Sequence, residues 1–446
     1  MIPATLRRAA GRVATATLLA AAVVGCNRLL DATAPDKIDA SSFNDPAYAN
    51  TLVQGAVARF DCAFNAHVVI SGLNSGELVE SSQTSARYSY DRRTVGPGET
   101  LYAANQCDVQ QSIGIYTPLQ QARFMADDAQ KRLEAWTDQE VSGNRQQLIA
   151  RAAIYAGYAR ILLGEMFCTT AIDEGPELTS AQVFALAEEK FTTALTAAAA
   201  AKDAKLTAFA YAGRARARLD LGKMAEAAAD AANVPKGFVV GTTQDGASDR
   251  KINRLYDQFS SGFASVSPTY VNLTVPTKDP ATSTDTTADT RVALAFPLDS
   301  KGKPVIGNDR TTRMITAKKY PTGGTSIPIA SYEEAQLIIA EAQGGANAVS
   351  IINALRVAAG LPGAFVSSDP VAIQNEVISE RSRQLFLQGT RMYDARRLGL
   401  PQIPAAGAAY DNGGTYGSQR CLPLPDLERN SNPSLKGKPP IAGANG

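Results

Sequence analysis

The stretch covering residues 331–399 constrains the fold most, because its apolar spacing and its stops predict three consecutive helices. Ser331 is suited to cap the first helix, and Glu334 stands three residues later, as in a reciprocal capping box. A pair of glycines ends this helix. The second helix is predicted over residues 347–360, where a glycine and a following proline form a typical C-terminal stop. The third is predicted over residues 370–397 as one continuous helix.

The predicted third helix has one apolar face and one charged face. Ile378, Leu385 and Met392 recur every seven residues and indicate a side that faces the core. The opposite side carries Glu376, Glu380, Arg381, Arg383, Arg391, Asp394, Arg396 and Arg397. Helical spacing favours the pairs Glu380–Arg383 and Asp394–Arg397. Two interpretations stay open: a solvated face, or a partly buried ion-pair network that locks helices together. Catalysis is not predicted, because no nucleophile or set of metal ligands stands beside the cluster.

The same stretch resembles the C-terminal signature of the SusD/RagB family. The motifs that carry the resemblance are, in chain order, Tyr332…Glu334-Ala-x-Leu-Ile-x-Ala-Glu341, Asn353-x-x-Arg356…Gly360-Leu361, Glu380-Arg381, Gly389-x-Arg391-x-x-Asp394-x-Arg396-Arg397, and Leu422-Pro-Leu-Pro425…Glu428…Asn432-Pro433. Two departures are mild: Gln388 stands where an acidic residue is common, and Ala395 stands where a leucine is common. The resemblance implies an outer-membrane lipoprotein that binds nutrients and caps a TonB-dependent, SusC-like transporter.

Residues 1–25 read as a bacterial lipoprotein signal peptide. Three arginines precede an apolar run that is short for a bilayer span, and Val-Val-Gly then leads into Cys26. Cys26 is the predicted lipidation site, and two acyl chains on it would anchor the protein firmly. The alternative is an ordinary signal peptide in which Cys26 is incidental. With the family resemblance, the expected location is the outer membrane, lipid-anchored and facing the cell surface, with residues 26–42 as a tether.

The rest of the chain predicts a mostly α-helical, tetratricopeptide-like scaffold with a loop-rich subdomain that contains a few short strands. Residues 43–236 form the N-terminal helical region, where alanine-rich helix pairs share a weak repeat, Tyr-Ala-Gly, at 155–157 and 211–213. Helical periodicity then disappears over residues 237–329, the variable subdomain. Residues 330–446 hold the C-terminal helices and the closing segment.

Four cysteines follow Cys26, and an exported chain with four cysteines suggests two disulfides. We favour the pairs Cys62–Cys107 and Cys168–Cys421, although other pairings and free buried thiols stay open. No metal site or cofactor is predicted, since the cysteines are far apart in sequence and the single histidine lies in an apolar context. A calcium site at Asp285 and Asp289 is not favoured, because the spacing matches no known calcium loop.

Ligand-binding candidates lie in two irregular regions that mix aromatic and hydrogen-bonding residues, as sites for sugars and peptides do. The candidates are Glu77, Arg87, Tyr88, Tyr90 and Arg92 in the first region, and Tyr256 and Tyr270 in the variable subdomain. In an extended segment the two tyrosines at 88 and 90 would face the same way. The alternative is that these tyrosines pack the loops on the body. Trp136 belongs to a core stripe by its helical phase.

The sequence thus predicts a surface lipoprotein without enzymatic activity. It would bind an oligomeric nutrient, an oligosaccharide in the first place or else a peptide, and deliver it to the transporter. Nucleic acid is not an expected partner, because the formal net charge is only +1. Two alternatives stay open: a tetratricopeptide-like adaptor that binds protein, and a surface glycosidase with paired carboxylates.

Overall fold

The computed structural model describes residues 40–107, 113–279 and 282–443. The predicted signal peptide and Cys26 lie outside the described residues. The chain divides into two units, residues 1–48 and 49–446. In the first unit, the described part contains two 3₁₀ turns, Ala40–Asn44 and Pro46–Tyr48.

The second unit is built mainly from α-helices with a few short strands. In its described residues the helices are α1 Ala49–Ser75, α2 Ser85–Arg92, α3 Tyr116–Ala135, α4 Arg145–Met166, α5 Ser180–Ala200, α6 Ala204–Asp220, α7 Met224–Ala231, α8 Arg254–Ser260, α9 Tyr332–Gln343, α10 Gly345–Ala358, α11 Pro370–Gln384, α12 Arg391–Arg397 and α13 Asp426–Ser431. The strands are β1 Leu78–Glu80, β2 Thr169–Thr170, β3 Leu178–Thr179, β4 Val239–Gly241, β5 Ala264–Val266, β6 Thr274–Pro276, β7 Thr286–Ala288, β8 Leu294–Ala295, β9 Thr316–Ala317 and β10 Pro328–Ser331.

Helices α3 to α7 form the repeat array, in which each helix packs against the next. The repeated Tyr-Ala-Gly explains one close contact in this array. Gly157 on α4 and Gly213 on α6 lie against the ring of Phe191 on α5, where a β-carbon would come within 2.8 and 2.2 Å of ring atoms. Only glycine allows helices to approach so closely around an aromatic ring. The predicted tetratricopeptide-like, mostly α fold is confirmed.

Helix α1 is central to the second unit, because it packs against α2, α3, α4, α8 and α12. Its apolar residues are buried around nearly the whole circumference from Phe60 onward. His67 lies in this helix, 1% exposed, and its Nε2 is 3.0 Å from the carbonyl oxygen of Gly389. Burial lowers the pKa of His67 to about 3, so the imidazole is neutral at physiological pH. His67 is a core residue.

The strands form five two-stranded antiparallel sheets, pairing β1 with β5, β2 with β3, β4 with β10, β6 with β7, and β8 with β9. The pair of β1 with β5 matters for the candidate site. It sets Leu78 opposite Val266 and so joins the segment after α1 to the loop-rich region. Chain regions almost 190 residues apart therefore meet here.

The prediction of one continuous helix over residues 370–397 is wrong. Helix α11 ends at Gln384 and α12 begins at Arg391. Between them Leu387 and Gly389 adopt positive φ angles of 55° and 84°, which a helix cannot contain. Tertiary contacts hold this break: the Leu387 amide donates to Glu77 Oε1 over 3.0 Å, and a β-carbon at position 389 would lie 2.7 Å from the ring of His67.

Of the two interpretations of the charged face, the structure supports the partly buried ion-pair network. Glu380 is fully buried and accepts from Arg356 Nε at 3.0 Å and from Arg291 Nη2 at 3.1 Å. Asp394 pairs with Arg397 as expected, at 2.6 Å. Arg383, which was expected to pair with Glu380, pairs with Asp289 instead. Since Arg291 comes from the loop-rich region, this network ties that region to the C-terminal helices.

The capping box predicted for the first C-terminal helix forms only in its first half. The Ser331 hydroxyl accepts from the Glu334 amide, but the Glu334 side chain is buried and lies 3.6 Å from Arg216. The complete box occurs at α5, where Thr179 and Gln182 satisfy each other's backbone amides. Trp136 is partly buried and packs against the core.

The structure contains the two disulfides that the sequence favoured. Cys62–Cys107 connects α1 to the segment before α3. Cys168–Cys421 connects the segment that follows α4 to the closing segment. At this second junction the Cys168 amide donates to the carbonyl of Leu422 over 2.9 Å. Among the described residues, no helix has both the length and the apolar character needed to cross a bilayer.

Candidate ligand-binding site

Residues 85–92 form helix α2, and the expectation of an extended segment is therefore wrong. In a helix, residues two apart point to different sides and residues four apart share a side. Tyr88 consequently shares a face with Arg92, and Tyr90 lies on the buried face. The argument that paired Tyr88 with Tyr90 on one ligand-binding face fails for this reason.

The buried face of α2 holds the helix in place. Arg87 is 1% exposed, pairs with Glu80 of β1 at 2.9 Å and donates to Gln258 of α8 at 2.7 Å. Tyr90 donates its hydroxyl to the carbonyl of Ile113 over 2.9 Å. Because these groups are enclosed and bonded inside the protein, Arg87 and Tyr90 have no surface left for a ligand.

The other face of α2 carries Tyr88 and Arg92, which are both half-buried. Their common neighbour is Tyr410 from the C-terminal segment: the Tyr88 ring centroid lies 6.0 Å from that of Tyr410, and Arg92 Cζ lies 5.9 Å above the same ring. Arg92 also donates to the carbonyl of Gly413 over 3.3 Å. Partial burial raises the pKa of Tyr88, which keeps its hydroxyl protonated. Both side chains keep an exposed part that a ligand could contact.

Two polar cavities flank the beginning of α2. One, of about 570 Å³, is lined by Gln83, Thr84, Phe263, Gly307, Asn308 and Arg310. The other, of about 420 Å³, is lined by Ser85, Ala86, Ser89, Arg92, Gly98, Glu99, Thr100 and Leu101. Both volumes lie in the range of small-molecule sites. We call the lining residues of these two cavities the α2 surface.

Arg310 is the prominent charged group of the first cavity. Its backbone has a φ of 66°, the left-handed region that non-glycine residues rarely adopt. A turn held by Asp309 maintains this conformation: its carboxylate accepts from the Thr311 amide at 3.0 Å and from the Thr312 hydroxyl at 2.6 Å. Within the described residues the exposed Arg310 side chain has no ion-pair or hydrogen-bond partner, so its five donors are available.

Two further predicted residues are enclosed in the core. Glu77 is 1% exposed, and burial raises its pKa to about 7 while one carboxylate oxygen accepts from the Leu387 amide. Tyr270 is 8% exposed, lies against the ring of Phe386 at 4.6 Å between centroids, and meets the Ser382 hydroxyl at 3.2 Å. Neither can contact a ligand from these positions, which corrects their assignment.

Three of the seven predicted ligand residues therefore remain at the surface. Arg92 and Tyr88 lie on α2, and Tyr256 lines a third cavity of about 290 Å³. The sequence reasoning missed four polar residues of the first cavity, which are Gln83, Thr84, Asn308 and Arg310. A signal for two of them existed, because Gly-Asn-Asp after the apolar pair Val305-Ile306 is typical of an exposed turn. The ligand-binding role of all these residues stays a prediction.

The two carboxylates considered for calcium are engaged with cations. Asp289 pairs with Arg291 at 2.8 Å and Asp285 pairs with Lys278 at 2.9 Å. The residues that the structure describes contain no group of three metal-ligating side chains. The α2 surface is a set of amide, hydroxyl and guanidinium groups, together with the carboxylate of Glu99 and the ring of Phe263. Such groups are suited to hydrogen bonding and stacking.

The fold is similar to that of solved SusD-like proteins. A SusD-like carbohydrate binding protein from Bacteroides vulgatus ATCC 8482 superposes with a TM-score of 0.65 and 14% identity over 89% of this chain and 99% of that chain. A laminarin binding SusD-like protein superposes with a TM-score of 0.51 and 19% identity, over 85% of this chain and 96% of that chain. Surface glycan-binding protein A from Bacteroides fluxus superposes with a TM-score of 0.56 and 15% identity, over 87% of this chain and 97% of that chain.

These identities are low, and the likeness therefore concerns the fold. A scan against protein-family models finds no match, and a search of curated proteins finds none either. The similarity in structure nevertheless covers most of this chain and nearly all of each solved chain. The resemblance inferred from the C-terminal motifs is confirmed at the level of the fold: the chain has the SusD-like fold.

Proposed function

We propose that this chain, having the SusD-like fold, is a cell-surface lipoprotein that binds an oligosaccharide and delivers it to a TonB-dependent, SusC-like outer-membrane transporter. The observation that carries the proposal is the extent of the structural similarity, which includes proteins named for binding carbohydrate, laminarin and surface glycan. Delivery and the transporter partner come from the sequence resemblance and extend the proposal.

The α2 surface is the proposed glycan site. Sugar hydroxyls need many donors and acceptors, and sugar rings stack on aromatic faces. Gln83 and Arg310 bring side chains that have no hydrogen-bond partner within the described residues, and Phe263 contributes a ring to the same cavity. The site supplies contacts for binding, and the proposed function requires no covalent step.

Binding is tested by titrating the full-length protein, purified in detergent, with oligosaccharides from β-glucans, xylans, mannans and starch, and with a peptide pool. We expect saturable binding of at least one oligosaccharide and no change in its chain length on chromatography. Arg310→Ala should weaken binding about tenfold or more, as loss of an exposed arginine anchor does. Lys236→Ala is the matched control, since Lys236 is an exposed cation that lines neither cavity.

The outcomes separate the alternatives. Hydrolysis of the bound sugar would favour the glycosidase. Binding of the peptide pool alone would make the nutrient a peptide. Absence of binding to both, with capture of a folded partner protein, would favour the adaptor. Equal affinity of Arg310→Ala and the wild type would remove the α2 surface from the proposal.

Anchoring and delivery have their own tests. Cys26→Ser should release the protein from membranes, because two acyl chains would provide nearly all of its membrane affinity. Sedimentation of this variant with outer membranes in cells that lack the transporter would contradict a lipid anchor. Deleting the protein should lower uptake of its oligosaccharide through the transporter, and unchanged uptake would contradict delivery.

A further inference from the structure

A third cavity lies next to the polar cavity that contains Arg310, and its chemistry is different. It has a volume of about 290 Å³ and is lined by ten residues, among them Tyr256, Phe259, Val305, Met314, Thr316 and Tyr320. None of these ten residues is charged, and three of them are aromatic. We call this the aryl cavity.

Several polar groups of the aryl cavity are already used inside the protein. The Tyr320 hydroxyl donates to the carbonyl of Leu387 over 2.9 Å, and the Ser260 hydroxyl donates to that of Asp257 over 3.1 Å. Two hydroxyls remain that have no partner within the described residues, those of Tyr256 and Thr316. A bare sugar ring would leave most of its own hydroxyls unsatisfied there, which costs free energy. The aryl cavity is therefore unsuited to an unsubstituted sugar.

Residues that line the two cavities are close neighbours along the chain. Gly262 lines the aryl cavity and the next residue, Phe263, lines the polar one. In the facing segment Val305 lines the aryl cavity and Gly307 lines the polar one. The Ser81 hydroxyl lies between these segments, 3.1 Å from the Gly262 carbonyl and 3.7 Å from Met314 Sδ. The Asn308 amide also donates to the Gly262 carbonyl over 3.1 Å, so hydrogen-bonded segments separate the two cavities. A substituent of a ligand seated beside Arg310 has to cross these segments to reach the aryl cavity.

We propose that the aryl cavity binds an aromatic acyl ester carried by the oligosaccharide, so that the ligand is an esterified glycan of the hydroxycinnamoyl or benzoyl class. This inference rests on the proposed function. Aromatic rings and the Met314 thioether pack favourably against an aryl group, and the free Tyr256 hydroxyl can donate to an ester carbonyl. The neutral lining matches an uncharged ester and disfavours the free carboxylate. The sugar lies in the polar cavity, where Arg310 and Gln83 supply donors.

The experiment uses full-length protein and two kinds of probe. Ethyl ferulate probes the aryl cavity without any sugar. The second probe is the oligosaccharide panel, now including naturally feruloylated and chemically benzoylated fractions, each compared with its saponified form. Val305→Trp fills the cavity from a half-exposed position. Ile306→Trp is the matched control, because Ile306 is the next residue, is 44% exposed and does not line the cavity.

We expect wild type and Ile306→Trp to bind ethyl ferulate and Val305→Trp to bind it at least tenfold more weakly. We also expect esterified fractions to bind more tightly than saponified ones, with that preference lost in Val305→Trp while affinity for saponified sugar is retained. The inference would be overturned if wild type does not bind ethyl ferulate, or if wild type and Val305→Trp bind it with equal affinity. Either result would decide this, whichever oligosaccharides bind. Binding of ethyl ferulate with no binding of any oligosaccharide would instead overturn the proposed function.

Discussion

The contact of Phe191 with two glycines predicts an unusual response to a mild substitution. Gly213→Ala lies within α6, where alanine is favoured over glycine by about 1 kcal/mol in helix propensity. The added methyl group would nevertheless lie 2.2 Å from Phe191 Cε1 and 2.4 Å from Cζ. Carbon atoms in contact are normally about 3.5–4 Å apart, so the ring would have to move by more than about 1 Å.

The surroundings leave the ring little room to move. Phe191 is fully buried, Gly157 lies against it from α4, and the Tyr158 ring packs edge-on with centroids 5.0 Å apart. Overpacking of this kind costs about 1–3 kcal/mol and sometimes more. We place Gly213→Ala at the upper end of that range and expect the free energy of unfolding to fall by about 2–3 kcal/mol after the propensity gain is included.

The measurement is urea unfolding of the full-length protein followed by far-UV circular dichroism. Gly55→Ala in α1 is the matched control, because the added methyl group would meet only the flexible end of Met125, at 3.4 Å. The control should be neutral or more stable by up to about 1 kcal/mol. Adding Phe191→Leu to Gly213→Ala should recover part of the loss, since the smaller side chain removes the overlap. Equal stabilities of Gly213→Ala and Gly55→Ala would refute this reasoning.

Two more predictions concern the cross-links and a buried acid. Replacing both cysteines of Cys168–Cys421 by alanine should lower the free energy of unfolding by about 5 kcal/mol, because this disulfide closes a separation of 253 residues. The same change at Cys62–Cys107, with a separation of 45, should cost about 4 kcal/mol. Unfolding of the two double-alanine variants in parallel measures the difference, and four alkylatable thiols in the unreduced protein would contradict the disulfides. Burial raises the pKa of Glu77 to about 7, while nearby Arg391 and Lys319 oppose the rise. The folded state therefore holds this proton more tightly than the unfolded state, and the stability from this group, complete below about pH 4.5, is lost as pH rises through 7. Glu77→Gln should match wild type near pH 4.5 and exceed it at pH 8 by up to about 3 kcal/mol, and a difference that does not depend on pH would disprove the assignment.

Local sequence signals predicted the helices where propensity and caps agree with the tertiary structure. Thr179 and Gln182 form the full capping box, and Ser331 caps α9. The break after Gln384 was missed because the helical periodicity continues through it, although Gly389 is a local signal for the end of a helix. Its cause is a set of contacts with α1 and with Glu77, more than 300 residues away in sequence.

The candidate site was predicted less well, for a related physical reason. Arginine, glutamate and tyrosine in an irregular region predict a polar surface, but Arg87 is buried because Glu80 and Gln258 satisfy its guanidinium. Burial of a charge depends on partners that only the fold brings together. Arg310 shows the opposite case: its exposure follows from the turn that Asp309 makes.

The Cys168–Cys421 bond has a consequence for proteolysis. The chain between its two cysteines contains α5 to α12 and all of the loop-rich region. A protease that cuts once in any exposed loop of this stretch leaves both fragments joined by the disulfide. Such a nicked molecule would keep its mass on a non-reducing gel and separate into two pieces only after a thiol is added. Outside the reducing cytoplasm, a single cleavage therefore cannot release either half.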